Sequence, residues 1–273
     1  MDDVTQTLLL PEDGPDPTIS VEVQETDAAE TASYLSVGTR PAQQDAVCSA
    51  LSEACAVCVV CDGMGGLSGG ERASTLAAQG MTRSLLAHAQ SGDIPTEMGR
   101  AALRLNEEIK DLRDGEDRLI EAGTTLTAVF IRSGELFWCS IGDSHIYLYR
   151  DGALKQLNID HNFAVHLDQL AQEGSITPEQ ALCHPQRAAL TSYLGIQELT
   201  LISGNRTPLC LQKGDVLLQC TDGLYRCLSE EEIGRLLDTA EDMQQAARML
   251  VDTALALPGA HDNTSVALTR YKG

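Results

Sequence analysis

Five aspartates carry the chemistry open to this chain. Asp62 ends the apolar run AVCVVC at 56–61 and opens the glycine-rich stretch GMGGLSGG. Asp222 closes VLLQCT in the same way. Asp262 stands at the mouth of a strand-like TSVAL, Asp45 just before AVCSAL, and Asp143 just after ELFWCSI. A carboxylate delivered by a buried strand into a glycine loop suits a hard cation that takes oxygen ligands. Glycine also lets a backbone carbonyl turn to the same point. Asp-Gly is equally a common turn. It occurs at positions 13, 62, 114, 151 and 222, and any one aspartate alone is read more simply as a turn residue. Asp62 and Asp222 differ from the others because no returning strand follows them. Converging carboxylates repel one another unless cations neutralise them. Two divalent cations roughly 3.5–4 Å apart would do so, and such pairs typically handle phosphate. Arg40, just upstream of Asp45, has a planar fork that matches phosphate oxygens; taken alone it reads as a surface arginine.

These side chains need rigid supports. A first short strand is expected near 34–37, and the Val- and Cys-rich run 56–61 reads as a buried strand. Ala73, Ala77, Met81 and Leu85 mark a helix over 70–90, and Met98, Ala102, Leu105 and Ile109 a second over 95–113. Strands at 125–131, 135–141 and 146–150 read as a meander, with Asp151-Gly152 closing a hairpin into ALKQL. Residues 161–195 are mixed and loop-rich. Strands are expected again at TLIS, TPLCL and DVLLQC, then helices at 229–237 and 241–256 and the strand TSVAL. Clustered strands with long helices between the blocks predict a layered α+β fold with antiparallel sheets rather than alternating βαβ units.

Composition narrows the function. The 273 residues hold 40 acids against 19 bases, a net charge of -21. Nucleic acid is therefore not an expected partner, and an anionic membrane surface is disfavoured. No apolar run approaches a membrane span, and the acidic start MDDVTQ is unlike a secretory signal; a cytoplasmic protein is expected. The nine cysteines include Cys55, Cys58 and Cys61 at C-x-x-C-x-x-C spacing. On a strand Cys58 faces away from the other two, which stand roughly 20 Å apart, so buried thiols and not a metal site are expected. Residues 1–30 carry nine acids and no Lys or Arg, which predicts a disordered acidic tail. Residues 31–273 read as one domain.

The ordered set GTRPAQQDAV, VVCDGMGGLSGGERAS, AGTTLTAVF, IGDSHIYLYRDG, CTDGLY and HDNTSVAL resembles the metal-dependent protein phosphatases of type 2C. The run LNIDHNFAVHLDQLAQEGSITPEQALCHPQRAALTSYLG is similar to the flap region of their bacterial branch. The likeness spans roughly residues 33–270. It implies a four-layer α-β-β-α sandwich of two antiparallel sheets flanked by helices, with a flap over about 161–195. It implies two Mn²⁺ or Mg²⁺ ions bridged by Asp62, with the carbonyl of Gly63 on one and Asp222 and Asp262 completing the other. Asp45 would hold metal-bound water, Asp143 would help hold a third, weaker ion, and Asn263 would support Asp262. Arg40 would bind the substrate phosphate. The implied reaction is hydrolysis of phosphoserine and phosphothreonine in protein substrates, by direct attack of a metal-bridging hydroxide, opposing a Ser/Thr kinase; a monomer is expected.

Three positions depart from that family's pattern. Gln43-Gln44-Asp45 stands where Asn-Glu-Asp is common, and Met64 and Leu67 stand where some members carry histidine. His161 is a candidate proton donor in name only, with a structural histidine as the plainer reading, and His145 is assigned no role. A catalytically weak pseudophosphatase serving as a binding or regulatory module is the alternative, and a phosphatase of small phosphoesters a third reading.

Overall fold

The computed structural model describes residues 5–9, 19–66, 69–259 and 262–273, with the backbone alone described for 5–9 and 19–21. Its first strands, β1 (Thr5–Leu9), β2 (Ile19–Glu25) and β3 (Ala29–Ser36), are followed by β4 (Ala46–Leu51), β5 (Ala56–Cys61) and the short β6 (Gly63–Gly65). Helices α1 (Gly69–Ala87) and α2 (Ile94–Lys110) come next, then β7 (Ala122–Thr124), β8 (Leu126–Arg132), β9 (Glu135–Ile141), β10 (His145–Arg150) and β11 (Ala153–Gln156). Helices α3 (Phe163–Gln172) and α4 (Pro178–Leu182) lead to β12 (Ser203–Gly204), β13 (Leu209–Cys210) and β14 (Val216–Cys220). The chain ends with α5 (Asp222–Tyr225), α6 (Glu230–Thr239), α7 (Met243–Leu255) and β15 (Thr264–Tyr271).

Two large antiparallel sheets result, and β6 pairs with β7 in a small third one. One runs β1-β4-β5-β8-β9-β12, with β13 also on β9; the other runs β11-β10-β14-β15-β3-β2. Three apolar cores define four layers. Leu35, Val47, Val60, Val129, Ile146 and Leu217 fill the space between the sheets. Met81 and Leu85 of α1 and Met98 and Leu105 of α2 pack on Val57, Val59 and Phe130 of the first sheet. Ile233 of α6 and Leu250 of α7 pack on Leu218 and Leu268 of the second. The expected sandwich is the observed one. Strand β5 is apolar at every position because both of its faces are covered. Cys58 lies between the sheets while Cys55 and Cys61 face the helices, and all nine cysteines are free thiols.

Local chemistry sets the helix ends. Asp93 accepts a hydrogen bond from Thr96 N at 3.2 Å to start α2, and Ser229 and Glu232 form a capping box on α6. In the segment expected to be loop-rich, Thr177 and Gln180 form another around Pro178, so helices α3 and α4 occupy part of it. No helix among the described residues is long and apolar enough to cross a membrane.

Two expectations are corrected. The acidic tail expected over 1–30 contains β1, paired with β4, and β2, paired with β3. In β2 the alternation of Ile19, Val21 and Val23 with polar residues favours pairing, and open sheet edges supply the partners. Residues 1–4 and 10–18 of that expectation lie outside the described residues. The meander also breaks: β8 and β9 form a hairpin, but β10 pairs with β11 and β14 in the other sheet. The segment 142–144 is therefore a crossing between sheets. Gly142 takes it at φ +98°, and a Cβ there would press on Thr125 at 2.7 Å.

Candidate active site and metal centre

Strand register brings the five aspartates to one end of the sandwich. Ala46 pairs with Cys61, which places Asp45 and Asp62 side by side at the end of the first sheet. Cys220 pairs with both His145 and Val266, which puts Asp222 and Asp262 at the matching end of the second. Asp143 arrives on the crossing between the two.

Each is held differently. Asp45 is buried, and its Oδ2 accepts from Ser265 Oγ at 2.7 Å and Thr221 Oγ1 at 3.0 Å. The backbone N–H of Asp62 donates to Thr125 Oγ1 at 2.9 Å, and its carbonyl accepts from Thr124 Oγ1 at 2.9 Å. Thr125 Oγ1 also lies 2.7 Å from Ser144 Oγ, beside Asp143. Gly63 donates its N–H to the Gln44 carbonyl at 3.1 Å. A Cβ at Gly63 would run into the carbonyl oxygens of Gln44 and Gly70, so only glycine fits where these backbones meet.

Arg40 Nη2 pairs with Asp262 Oδ2 at 2.8 Å, at the exposed mouth of the site. Arg226, not among the residues expected to act here, sits 2.9 Å from Asp222 and 3.6 Å from Asp143. Asp222, Gly223, Arg226 and Asp262 help line a cleft of about 160 Å³. Asn263 Oδ1 accepts from Gln44 N at 2.8 Å, and its Nδ2 donates to the carbonyls of Val37 and Ala42 at 2.9 and 3.1 Å. It thereby ties the loop bearing Arg40 and Asp45 to the strand that follows Asp262. Gln44 donates its side-chain amide to the Gly65 carbonyl at 3.1 Å, bracing the glycine loop. Leu67 lies outside the described residues.

The electrostatics is that of crowded acids. Burial holds the Asp62 carboxyl well above its usual pKa, and the charges of Asp45, Asp222, Asp143 and Asp262 push it further. Asp45 is raised to about 7 by burial against the opposing pull of its two hydroxyl donors, with Asp222 and Asp262 adding to the rise. Asp222 is raised to about 6, again chiefly by burial, with Arg226 opposing. Burial raises Asp143 as well, and Arg226 opposes it there too. Such a cluster of oxygen donors, electrostatically frustrated as it stands, fits hard divalent cations. Among the described residues no three acidic, histidine or cysteine side chains close on one point; Arg40 lies against Asp262, and Arg226 against Asp222 and Asp143.

His161 is fully occupied. Its Nδ1 accepts from Gly142 N at 3.2 Å and its Nε2 lies 2.7 Å from Ser203 Oγ, an arrangement that fixes a neutral tautomer. Burial lowers its pKa. It anchors the start of the segment 161–195, whose far end returns where Leu194 bridges to Thr124. Buried thiols offer no nucleophile, since burial pushes those of Cys58, Cys61, Cys139 and Cys220 up. Thr125, Thr221, Ser265 and Arg226 escape a reading of the sequence. Their one signal is adjacency to an aspartate or a strand end, and that does not say which carboxylate they face.

The family model described as protein phosphatase 2C matches residues 37–256. The chain belongs to the protein phosphatase 2C family. A Mycobacterium tuberculosis relative named serine/threonine protein phosphatase PstP is 36% identical over 211 residues, covering 76% of this chain and 38% of that protein. The chain thus spans well under half the length of that relative. The Listeria monocytogenes protein named serine/threonine phosphatase stp is 30% identical over 215 residues, covering 78% of this chain and 83% of its own. Among solved structures, the catalytic domain of PstP in complex with two manganese ions superposes with a TM-score of 0.68 at 28% identity, covering 90% of this chain and 99% of that one. The protein phosphatase 2C assignment accounts for both the sandwich and the clustering of acids at one end of it.

Proposed function

We propose that this chain is a metal-dependent protein serine/threonine phosphatase that hydrolyses phosphoserine and phosphothreonine. Five aspartates from distant parts of the sequence gather at one end of two sheets, where Asp62 lies under the charges of the other four, and this carries the reading. Asp62, the Gly63 carbonyl, Asp222 and Asp262 would hold two divalent cations, Mn²⁺ or Mg²⁺, with Asp45 set behind them. When bound, such a pair supplies an acidified water and the positive charge that phosphoryl transfer requires.

The chain's own residues do the rest. Thr221 and Ser265 aim and ionise Asp45. Thr124 and Thr125 fix the backbone of Asp62. Arg40, half-exposed at the mouth, is the cation placed to meet phosphoryl oxygens. Asn263 keeps the Arg40 loop against the second sheet. Neither a cysteine nor His161 is free to act, so proton transfer to the leaving group falls to solvent within the site. A Ser/Thr kinase is the class of enzyme that must supply the substrate. A monomer suffices, since every residue named belongs to one chain.

The test is phosphate release from a phosphothreonine peptide with added Mn²⁺. Release should stop with EDTA and in Asp62→Ala and Asp222→Ala. Turnover that survives metal removal would overturn the reading, and failure to bind Mn²⁺ below millimolar would favour a binding module instead.

A further inference from the structure

Arg226 ends the helical turn α5, four residues after Asp222. Its Nη1 stands 2.9 Å from Asp222 Oδ2, and its Nη2 stands 3.6 Å from Asp143 Oδ2. One guanidinium therefore spans two acids that reach the site by separate routes, one from the end of β14 and one from the crossing between sheets. Asp143 is 4% exposed, and Arg226 is the one ion-pair partner it has among the described residues. The turn that presents Arg226 is braced by its neighbour. Tyr225 stacks on His145 with ring centroids 3.7 Å apart. His145 in turn contacts the Tyr147 hydroxyl at 2.6 Å and Asp160 at 3.0 Å.

We propose that the Arg226 guanidinium is a built-in cation of this centre, seated between Asp143 and Asp222, and that it limits the chain to two divalent metal ions. The inference rests on the phosphatase reading of Asp62, Asp222 and Asp262. An arginine keeps its charge at every working pH, so the charge of Asp143 is balanced permanently from within the chain. A dication entering beside it would face like-charge repulsion across a few ångströms, on the side of the guanidinium turned to the buried Asp143. Asp222 Oδ2 pairs with the arginine while Oδ1 remains for a metal. Asp143 thereby becomes a positioning residue for Arg226 in place of the ligand of a third ion that the family resemblance implies.

The experiment counts Mn²⁺ bound per chain, by equilibrium dialysis and native mass spectrometry of the metal-stripped 273-residue chain, up to millimolar Mn²⁺. The wild type should take up two ions. Arg226→Ala should gain a third, Arg226→Lys should stay at two, and Arg226→Ala combined with Asp143→Asn should return to two. Circular dichroism checks folding, and Arg226→Gln replaces the alanine variant if that one does not fold. Three ions on the wild type, or two on the neutral Arg226 variants, overturns the inference while leaving the metal centre intact. No Mn²⁺ on the wild type overturns the metal centre itself, and this inference with it.

Discussion

Ser265 donates its hydroxyl to Asp45 Oδ2 at 2.7 Å, across 220 positions of sequence and from one sheet to the other. Hydrogen bonds to a charged group typically contribute about 1.5–3 kcal/mol, and this one favours the ionised form of Asp45. Ser265→Ala is expected to destabilise the metal-free protein by about 1–2 kcal/mol at pH 8, where Asp45 is ionised. At pH 5 the loss should be smaller, because the carboxyl then holds its own proton. Urea unfolding at both pH values reads the difference, and an equal loss at each would sink this assignment.

Asp62 is expected to reduce stability when no cation is bound and to be indispensable when one is. Asp62→Asn should raise the thermal midpoint of the metal-free protein at pH 8, because it removes the cost of burying an acid among four others. It should also abolish the stabilisation that Mn²⁺ confers on the wild type and lower turnover by about 10²–10³-fold or more. A metal-free midpoint below that of the wild type would contradict the crowding seen here.

The pH dependence has a definite sign. Asp45 and Asp222 stand at about 7 and about 6 in the folded chain, above the ordinary carboxylate value in an unfolded one. The folded state therefore holds their protons more tightly. The resulting stability is present in full below about pH 4 and is lost as pH rises through 6 to 7. Through Asp45 alone the loss is on the order of 4 kcal/mol. Metal-free protein should thus be less stable at pH 8 than at pH 5 so far as this cluster controls it, and saturating Mn²⁺ should reverse the trend. Since protons compete for the same oxygens, Mn²⁺ affinity measured by calorimetry should fall steeply below pH 6.

Gly63→Ala is a steric test of the same loop. The added methyl group would strike the carbonyl oxygens of Gln44 and Gly70, and relief requires backbone movement, at a cost of about 1–3 kcal/mol or more. Metal affinity should fall along with thermal stability, because Asp62 and the Gly63 carbonyl sit on the displaced backbone. A variant that keeps wild-type Mn²⁺ affinity would show that the loop has slack.

Much of this site is legible in the sequence because of where the acids fall. Asp62 and Asp222 follow apolar runs too continuous to be half-exposed, so each had to emerge at the end of a covered strand, and Asp45 and Asp262 introduce such strands. The turn at Gly142-Asp143 was not legible. Flanked by two strand-like runs it looks like any hairpin, and only the pairing of β10 with β14 shows the chain changing sheets. The first strands were hidden by composition, since nine acids in thirty residues obscure the alternation in ISVEVQE. Arg226 gave no signal beyond its place four residues after Asp222. Its role depends on the fold bringing Asp143 to within 3.6 Å of it, a distance that no local pattern encodes.

The division of the aspartates between the layers has a mechanical consequence. Asp45 and Asp62 ride on one sheet and Asp222 and Asp262 on the other, so their mutual repulsion acts as a wedge driven into one end of the sandwich. Cations at that end turn the wedge into a rivet. Amides at the strand ends around Ala46, Cys61, Cys220 and Val266 should then be the first to exchange with solvent when metal is stripped, and the most slowed when it returns.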